Sequence, residues 1–131
     1  MIIKSLELSD FRNYAFLDMA FDEGTNILYG DNAQGKTNIL EAIFVSATTK
    51  SHKGSKDKDM IRFGNEEAHI RTYLDKDNLE NRVDMHLRSA RSKGIAINGK
   101  KIKKAAQLLG LLNVVFFSPE DLSIIKNGPG E

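Results

Sequence analysis

The 131-residue chain contains no cysteine. That absence excludes disulfide bonds and thiolate metal sites, and it fits a reducing compartment. Long apolar runs are also missing, since none reaches the roughly 20 residues that a transmembrane helix needs. The first residues lack the apolar stretch of a secretion signal. Together these absences predict a soluble, cytoplasmic protein with no membrane partner.

An excess of charge of one sign is missing as well. The 19 lysines and arginines nearly balance 18 acidic residues, and the net charge is +1. No global electrostatic attraction to nucleic acid follows from such a balance. Basic residues are concentrated in two segments, at 50–62 and 88–104. Each segment could contact a phosphate backbone, but solvated loops and turns are the interpretation that charge alone favours.

The most informative segment present has the pattern G-x-x-x-x-G-K-[ST] of a phosphate-binding P-loop. Its residues, all candidate nucleotide contacts, are Gly30, Asp31, Asn32, Ala33, Gln34, Gly35, Lys36 and Thr37. In such a loop backbone N–H groups surround an anion, the lysine reaches the terminal phosphates, and the threonine hydroxyl binds Mg²⁺. The pattern therefore predicts ATP or GTP binding, with Lys36 as the catalytic candidate and Thr37 as the metal ligand.

The flanking residues support this interpretation. The apolar run at 26–29 predicts a buried strand that enters the loop. Beyond Lys36, apolar residues at 39, 40, 43 and 44 have helical spacing and predict a helix to about Ala47. A glycine-rich turn that happens to precede a helix is the alternative, and the order of strand, loop and helix counts against it.

Alternating apolar and polar residues predict strands at 1–8, 16–21, 69–74, 81–87 and 94–97. Turn-forming residues at 75–78 make 69–87 a hairpin, and an Asn-Gly turn follows 97. Residues 46–59 predict a loop, with a short helical piece near 57–63. A helix at 105–112, a buried strand at 113–117 and a short helix after Pro119 complete the prediction. The fold class is α/β with mixed α+β character, a nucleotide-binding core combined with an antiparallel sheet.

Two other positions carry weaker signals. Arg12 and Asn13 follow the first strand, where they suit a nucleotide contact but suit a plain polar turn better. Residues 118–121 contain two carboxylates and suit helix capping better than Mg²⁺ binding. A P-loop enzyme also needs an apolar strand that ends in Asp, to hold Mg²⁺ and activate water. No segment of this chain supplies one convincingly.

Taken together, the motifs resemble the RecF family of bacterial recombination mediators, which is related to the SMC and ABC-type ATPases. The resemblance covers essentially the whole chain and rests on residues 3–14, 30–43, 51–61, 97–101 and 114–122. It departs from the family at Lys53 and Gly54, where arginine and threonine are more common.

The resemblance implies a P-loop NTPase fold in which residues 1–131 form lobe I of an ABC/SMC-type head with an antiparallel β-subdomain. The signature motif and the acidic Walker B strand would then lie outside this chain, which alone would bind ATP weakly and hydrolyse it very poorly. The resemblance also implies that Arg12 and Asn13 lie near the nucleotide, which reverses the preference from local pattern.

For the full protein, the resemblance implies a DNA-dependent ATPase that uses ATP and Mg²⁺. Such a protein dimerises with ATP between two heads and binds duplex DNA near single-strand gaps. It works with RecR and RecO to load recombinase during DNA repair. Two alternatives stay open, a DNA- or partner-binding module with a purely structural P-loop, and an SMC-type structural ATPase head with a long coiled coil.

Overall fold

The computed structural model describes residues 2–21, 33–76, 78–104 and 108. In this part of the chain the elements are β1 (Ile2–Phe11), β2 (Tyr14–Ala20), α1 (Ala33–Thr48), α2 (Asp57–Met60), β3 (Glu67–Lys76), β4 (Leu79–Arg88), β5 (Gly94–Ile97) and β6 (Lys100–Lys101). The predicted strands at 26–29 and 113–117, the helix after Pro119 and most of the helix at 105–112 lie outside the described residues.

The six strands form one antiparallel sheet in the order β2-β1-β3-β4-β5-β6. Its first hairpin joins the later strands through β1 and β3, where Leu8 lies opposite Ile70. The predicted antiparallel sheet is therefore confirmed. That all six strands belong to one sheet is a new finding, because the local sequence pattern does not indicate which distant strands pair.

One face of the sheet packs on α1, which lies against β3 and β4. Along β3 the side chains of Ala68, Ile70, Thr72 and Leu74 are buried, and their neighbours are more exposed. This alternation is expected for a sheet that is covered on one face only. The core therefore lies between the sheet and α1, and it holds both in a fixed relation.

Helix α1 extends from Ala33 to Thr48, so the loop predicted to begin at Ser46 is wrong at its start. Ser46 stays helical because its buried hydroxyl donates to the Ala42 carbonyl at 2.9 Å and accepts from the Thr72 hydroxyl at 2.9 Å. A buried polar group that is bonded in this way carries no desolvation penalty large enough to end a helix. In the described part of the chain, no helix has the length and apolar character to cross a membrane.

Both predicted tight connections are confirmed. The hairpin of β3 and β4 pairs Lys76 with Leu79 next to its turn. Between β5 and β6, Asn98 and Gly99 both have positive φ, at 53° and 84°. Two consecutive positive φ values define the turn that suits the twist of a two-residue hairpin, and they explain the Asn-Gly pair.

Candidate functional site

The described part of the P-loop pattern forms the start of α1. Ala33 to Thr37 lie in its first turns, whereas Gly30, Asp31 and Asn32 lie outside the described residues. The first N–H groups of a helix have no partner within it and carry a partial positive charge. No acidic residue stands in this first turn. The helix start therefore has the charge that an anion requires.

The turn between β1 and β2 carries the other two predicted site residues, Arg12 and Asn13. Asp10 and Arg12 have φ values of 51° and 54°, in the left-handed region that side chains avoid. Two backbone bonds hold the turn, from Arg12 N–H to the Met60 carbonyl at 2.8 Å and from Arg62 N–H to the Asp10 carbonyl at 2.7 Å. The turn is thus fixed against the chain that leaves α2.

Within the described part of the chain, the Arg12 side chain donates four hydrogen bonds. Its Nε and Nη2 donate to the two carboxylate oxygens of Glu41 at 2.7 and 2.9 Å, a bidentate ion pair. Its Nη1 donates to the Asp59 carbonyl at 2.9 Å, and Nη2 also donates to the Ser55 hydroxyl at 3.0 Å. Four of the five N–H groups of the guanidinium are thus engaged by described residues. Arg12 is therefore held firmly in this place.

Glu41 is fully buried and accepts a further bond from the Ser51 hydroxyl at 2.6 Å. Burial alone would raise the pKa of the Glu41 carboxyl. The hydrogen bonds from Arg12 and Ser51, together with the charges of Arg12 and Lys53, outweigh burial and hold that pKa below its ordinary value. The bond to Glu41 also raises the pKa of Arg12. The pair is therefore ionic at neutral pH.

Asn13 contacts the same helix at a second point. The buried Asn38 side chain donates from Nδ2 to the Asn13 Oδ1 at 3.0 Å. Asn38 directly follows Thr37, the predicted Mg²⁺ ligand. The structure thus brings Arg12 and Asn13 against the helix that begins with the P-loop residues, and their contact with a nucleotide stays a prediction.

A cleft of about 870 Å³ opens beside this turn. Its volume lies within the range of ligand pockets, about 300 to 1,000 Å³. Phe63 on its rim is fully exposed, which is unusual for a large aromatic side chain. The lining residues are Arg12, Asn13, Asn38, Lys58, Asp59, Ile61, Arg62, Phe63, Gly64 and Asn65.

Sequence reasoning missed Glu41 and the cleft residues at 61–65. Glu41 stands three positions after Asn38 and four before Val45, and all three are buried on one side of α1. That spacing was the available signal. The apolar residues Leu40 and Phe44 indicated a different buried face, although they are only half-buried. For 61–65, the one signal was an aromatic residue between an arginine and a glycine in a non-periodic segment.

The lowered pKa of Glu41 leads to a first prediction. The ionised carboxylate stabilises the fold fully above the unfolded-state pKa, about 4.3, and that contribution is lost as pH falls through the lower folded-state pKa. We expect the melting temperature of the wild type to exceed that of Glu41→Gln at neutral pH, and the difference to shrink in acid. Thermal melts from about pH 7 to about pH 3 measure it. A difference that stayed constant with pH would contradict the assignment.

An antiparallel sheet packed on a helix that starts with a P-loop is the arrangement of a P-loop ATPase head of the SMC and ABC type. The RecF/RecN/SMC N terminal domain model matches residues 2–124, and the chain belongs to this family. The resemblance found in the sequence is confirmed.

Relatives and solved structures agree with this assignment. Over all 131 residues the chain is 70% identical to the DNA replication and repair protein RecF of Agathobacter rectalis and 64% identical to that of Lachnoclostridium phytofermentans. It spans 36% of the length of each. A structure of the recombination mediator protein RecF-ATP in the RecFOR pathway is 38% identical, with a TM-score of 0.83 over 97% of this chain and 35% of that one.

A more distant likeness concerns the fold alone. A structure from work on ATP-driven dimerisation and DNA-stimulated activation of SMC ATPases is 21% identical to the chain. Its TM-score is 0.72, over 97% of this chain and 98% of that one. The sheet and α1 therefore belong to an architecture that these ATPases share.

Proposed function

We propose that the chain is the ATP-binding lobe of a RecF-type DNA repair ATPase, with residues 1–131 forming lobe I. One observation carries the proposal. The P-loop pattern leads into α1, and the same helix holds the turn of Arg12 and Asn13 through Glu41 and Asn38. The 38% identical relative was described as RecF-ATP, which supports ATP as the nucleotide.

The donor set at the start of α1 fits ATP and Mg²⁺. The helix end offers N–H groups with no acidic side chain in the first turn to compete for them. Residues 30–35 would supply the backbone cradle, Lys36 would stabilise charge on the transferred phosphoryl group, and the hydroxyl of Thr37 would bind the metal. Bound Mg²⁺ supplies positive charge that neutralises phosphate oxygens.

The cleft beside the turn would receive the base and sugar. Its rim carries the exposed ring of Phe63, and aromatic rings stack on nucleobases. The side chains of Arg12 and Asn13 also line the cleft and would offer polar contacts to the nucleoside. The lining thus combines an aromatic ring with polar groups, as a nucleoside requires.

The rest of the proposed function concerns the full protein. There the nucleotide would lie between two heads, with the P-loop of one subunit facing a signature motif of the other. The dimer would bind duplex DNA near single-strand gaps in an ATP-dependent way, and would act in the cytoplasm with RecR and RecO to load recombinase. Binding of gapped and intact duplexes, with and without ATP, tests this part by fluorescence anisotropy.

The assignment of the cleft gives a second prediction. Base stacking on an aromatic ring contributes about 1 to 3 kcal/mol. We therefore expect Phe63→Ala to weaken ATP binding about 5- to 150-fold and to leave inorganic triphosphate binding unchanged. Isothermal titration calorimetry with both ligands measures the difference. Equal weakening of both ligands, or of neither, would contradict a base contact at Phe63.

A further inference from the structure

We propose that Glu41 is a positioning residue of the nucleotide site, and that it acts through Arg12. The inference rests on the proposed function. Its basis is the contrast between the two partners, since the carboxylate is fully buried while 22% of the arginine side chain is exposed. Glu41 is buried and cannot contact a ligand itself. It instead fixes Arg12, which lies in the cleft.

The position of Glu41 on α1 supports this role. Thr37 and Glu41 are four residues apart, so they share one side of the helix with a rise of about 6 Å between them. The bidentate pair fixes the guanidinium plane of Arg12 along this side, one turn below the proposed metal ligand. Without that pair, the partly exposed arginine side chain would gain rotamer freedom.

Glu41 also joins two loops at the site. Ser51 donates to its carboxylate, and the Ser51 hydroxyl in turn accepts a bond from the Lys53 N–H at 3.1 Å. Both carboxylate oxygens are thus engaged by donors only. Glutamine has a single side-chain oxygen, so its NH₂ group would face at least one of these donors. Glu41→Gln therefore breaks the cluster with almost no change of volume.

A buried polar residue on the same helix supplies the matched control. Ser46 is fully buried on α1, and its hydroxyl is bonded to the Ala42 carbonyl and to Thr72 of β3. Ser46→Ala removes a buried hydrogen bond from the helix just as Glu41→Gln does. Comparison of the two variants therefore distinguishes a loss of ATP binding caused by a less stable α1 from one caused by a displaced Arg12.

The experiment is a double-mutant cycle on the dissociation constant of a fluorescent ATP analogue. It uses the wild type, Glu41→Gln, Arg12→Ala, the double variant and Ser46→Ala, with thermal melts for each. We expect Glu41→Gln to weaken binding about tenfold or more, and the double variant to bind no more weakly than Arg12→Ala. Ser46→Ala should lower the melting temperature and leave the dissociation constant within about twofold.

Three results would overturn the inference. Glu41→Gln could bind like the wild type while Arg12→Ala is weakened, the two effects could add fully, or Ser46→Ala could weaken binding as much as Glu41→Gln. If Glu41→Gln does not fold, Ser51→Ala replaces it in the cycle, because it removes one hydrogen bond to the carboxylate. It must then weaken ATP binding by a smaller factor, and it must have no effect on ATP binding when Arg12 is already alanine. A wild type that binds no nucleotide would reject the proposed function and this inference together.

Discussion

Replacing Lys36 with alanine is expected to weaken ATP binding by about 100-fold or more. Lys36 follows Gly35 within the first turns of α1, where the P-loop pattern assigns it to the terminal phosphates. A hydrogen bond to a charged group contributes about 1.5 to 3 kcal/mol, and 2.7 kcal/mol corresponds to 100-fold. Calorimetric titration of ATP in the presence of Mg²⁺ measures the loss.

Lys50→Ala is the matched control, because it removes the same charge from an exposed position just beyond the other end of α1. ATP affinity in this variant should stay within about twofold, since exposed charges at a distance are largely screened. Circular dichroism of both variants excludes unfolding as the cause of any loss.

The same variant distinguishes the proposed function from a module whose P-loop only stabilises the fold. In the full-length protein, Lys36→Ala should abolish ATP-dependent binding of duplex DNA if nucleotide binding drives that step. A structural P-loop predicts unchanged DNA or partner binding, and such a result would reject the ATPase assignment in favour of the module.

The elements that sequence reasoning predicted correctly are those with local causes. The hairpin of β3 and β4 follows from alternating side chains and turn-forming residues, and the Asn98-Gly99 turn follows from the need for two positive φ values. The helix after the P-loop also follows from the motif, although α1 begins at Ala33, three residues before the predicted start at Lys36. In each case a few neighbouring residues carry the whole signal.

Other features depend on contacts between distant residues. The pairing of β1 with β3 places Leu8 opposite Ile70, and the sequence of neither strand indicates which strand it pairs with. The burial of Glu41 depends on Arg12 and Ser51, because an isolated buried carboxylate would be costly. The local pattern therefore raised Arg12 only as a weaker candidate, the resemblance was needed to favour it, and neither indicated the carboxylate that holds Arg12 in place.

The β1–β2 turn shows the same limit at the level of the backbone. Nothing in the run Asp10-Phe11-Arg12 predicts two left-handed residues on either side of a phenylalanine. Such residues cost about 1 to 3 kcal/mol each and persist only where the surroundings determine them. Phe11 is part of those surroundings, since its side chain is fully buried and its backbone pairs with Ile61.

Phe11→Ala should therefore lower the free energy of unfolding by about 3 to 5 kcal/mol. Domains are stable by only about 5 to 15 kcal/mol, so this is a large fraction of the total. Part of the loss comes from the cavity that the ring leaves. A further consequence is a looser turn, so ATP affinity should fall even under conditions in which the variant is fully folded.

Phe16→Ala is the control, because Phe16 on β2 is the same residue type with 63% of its surface exposed. Its truncation should change stability by about 0.5 kcal/mol at most. Urea denaturation of both variants, followed by circular dichroism, gives the two free energies. Equal losses would mean that Phe11 does not anchor the turn. Phe11→Ala could instead lose much stability while the folded variant keeps its ATP affinity. Such a result would mean that packing around Phe11 does not affect the nucleotide site, and that Glu41 and Asn38 alone keep Arg12 and Asn13 in place.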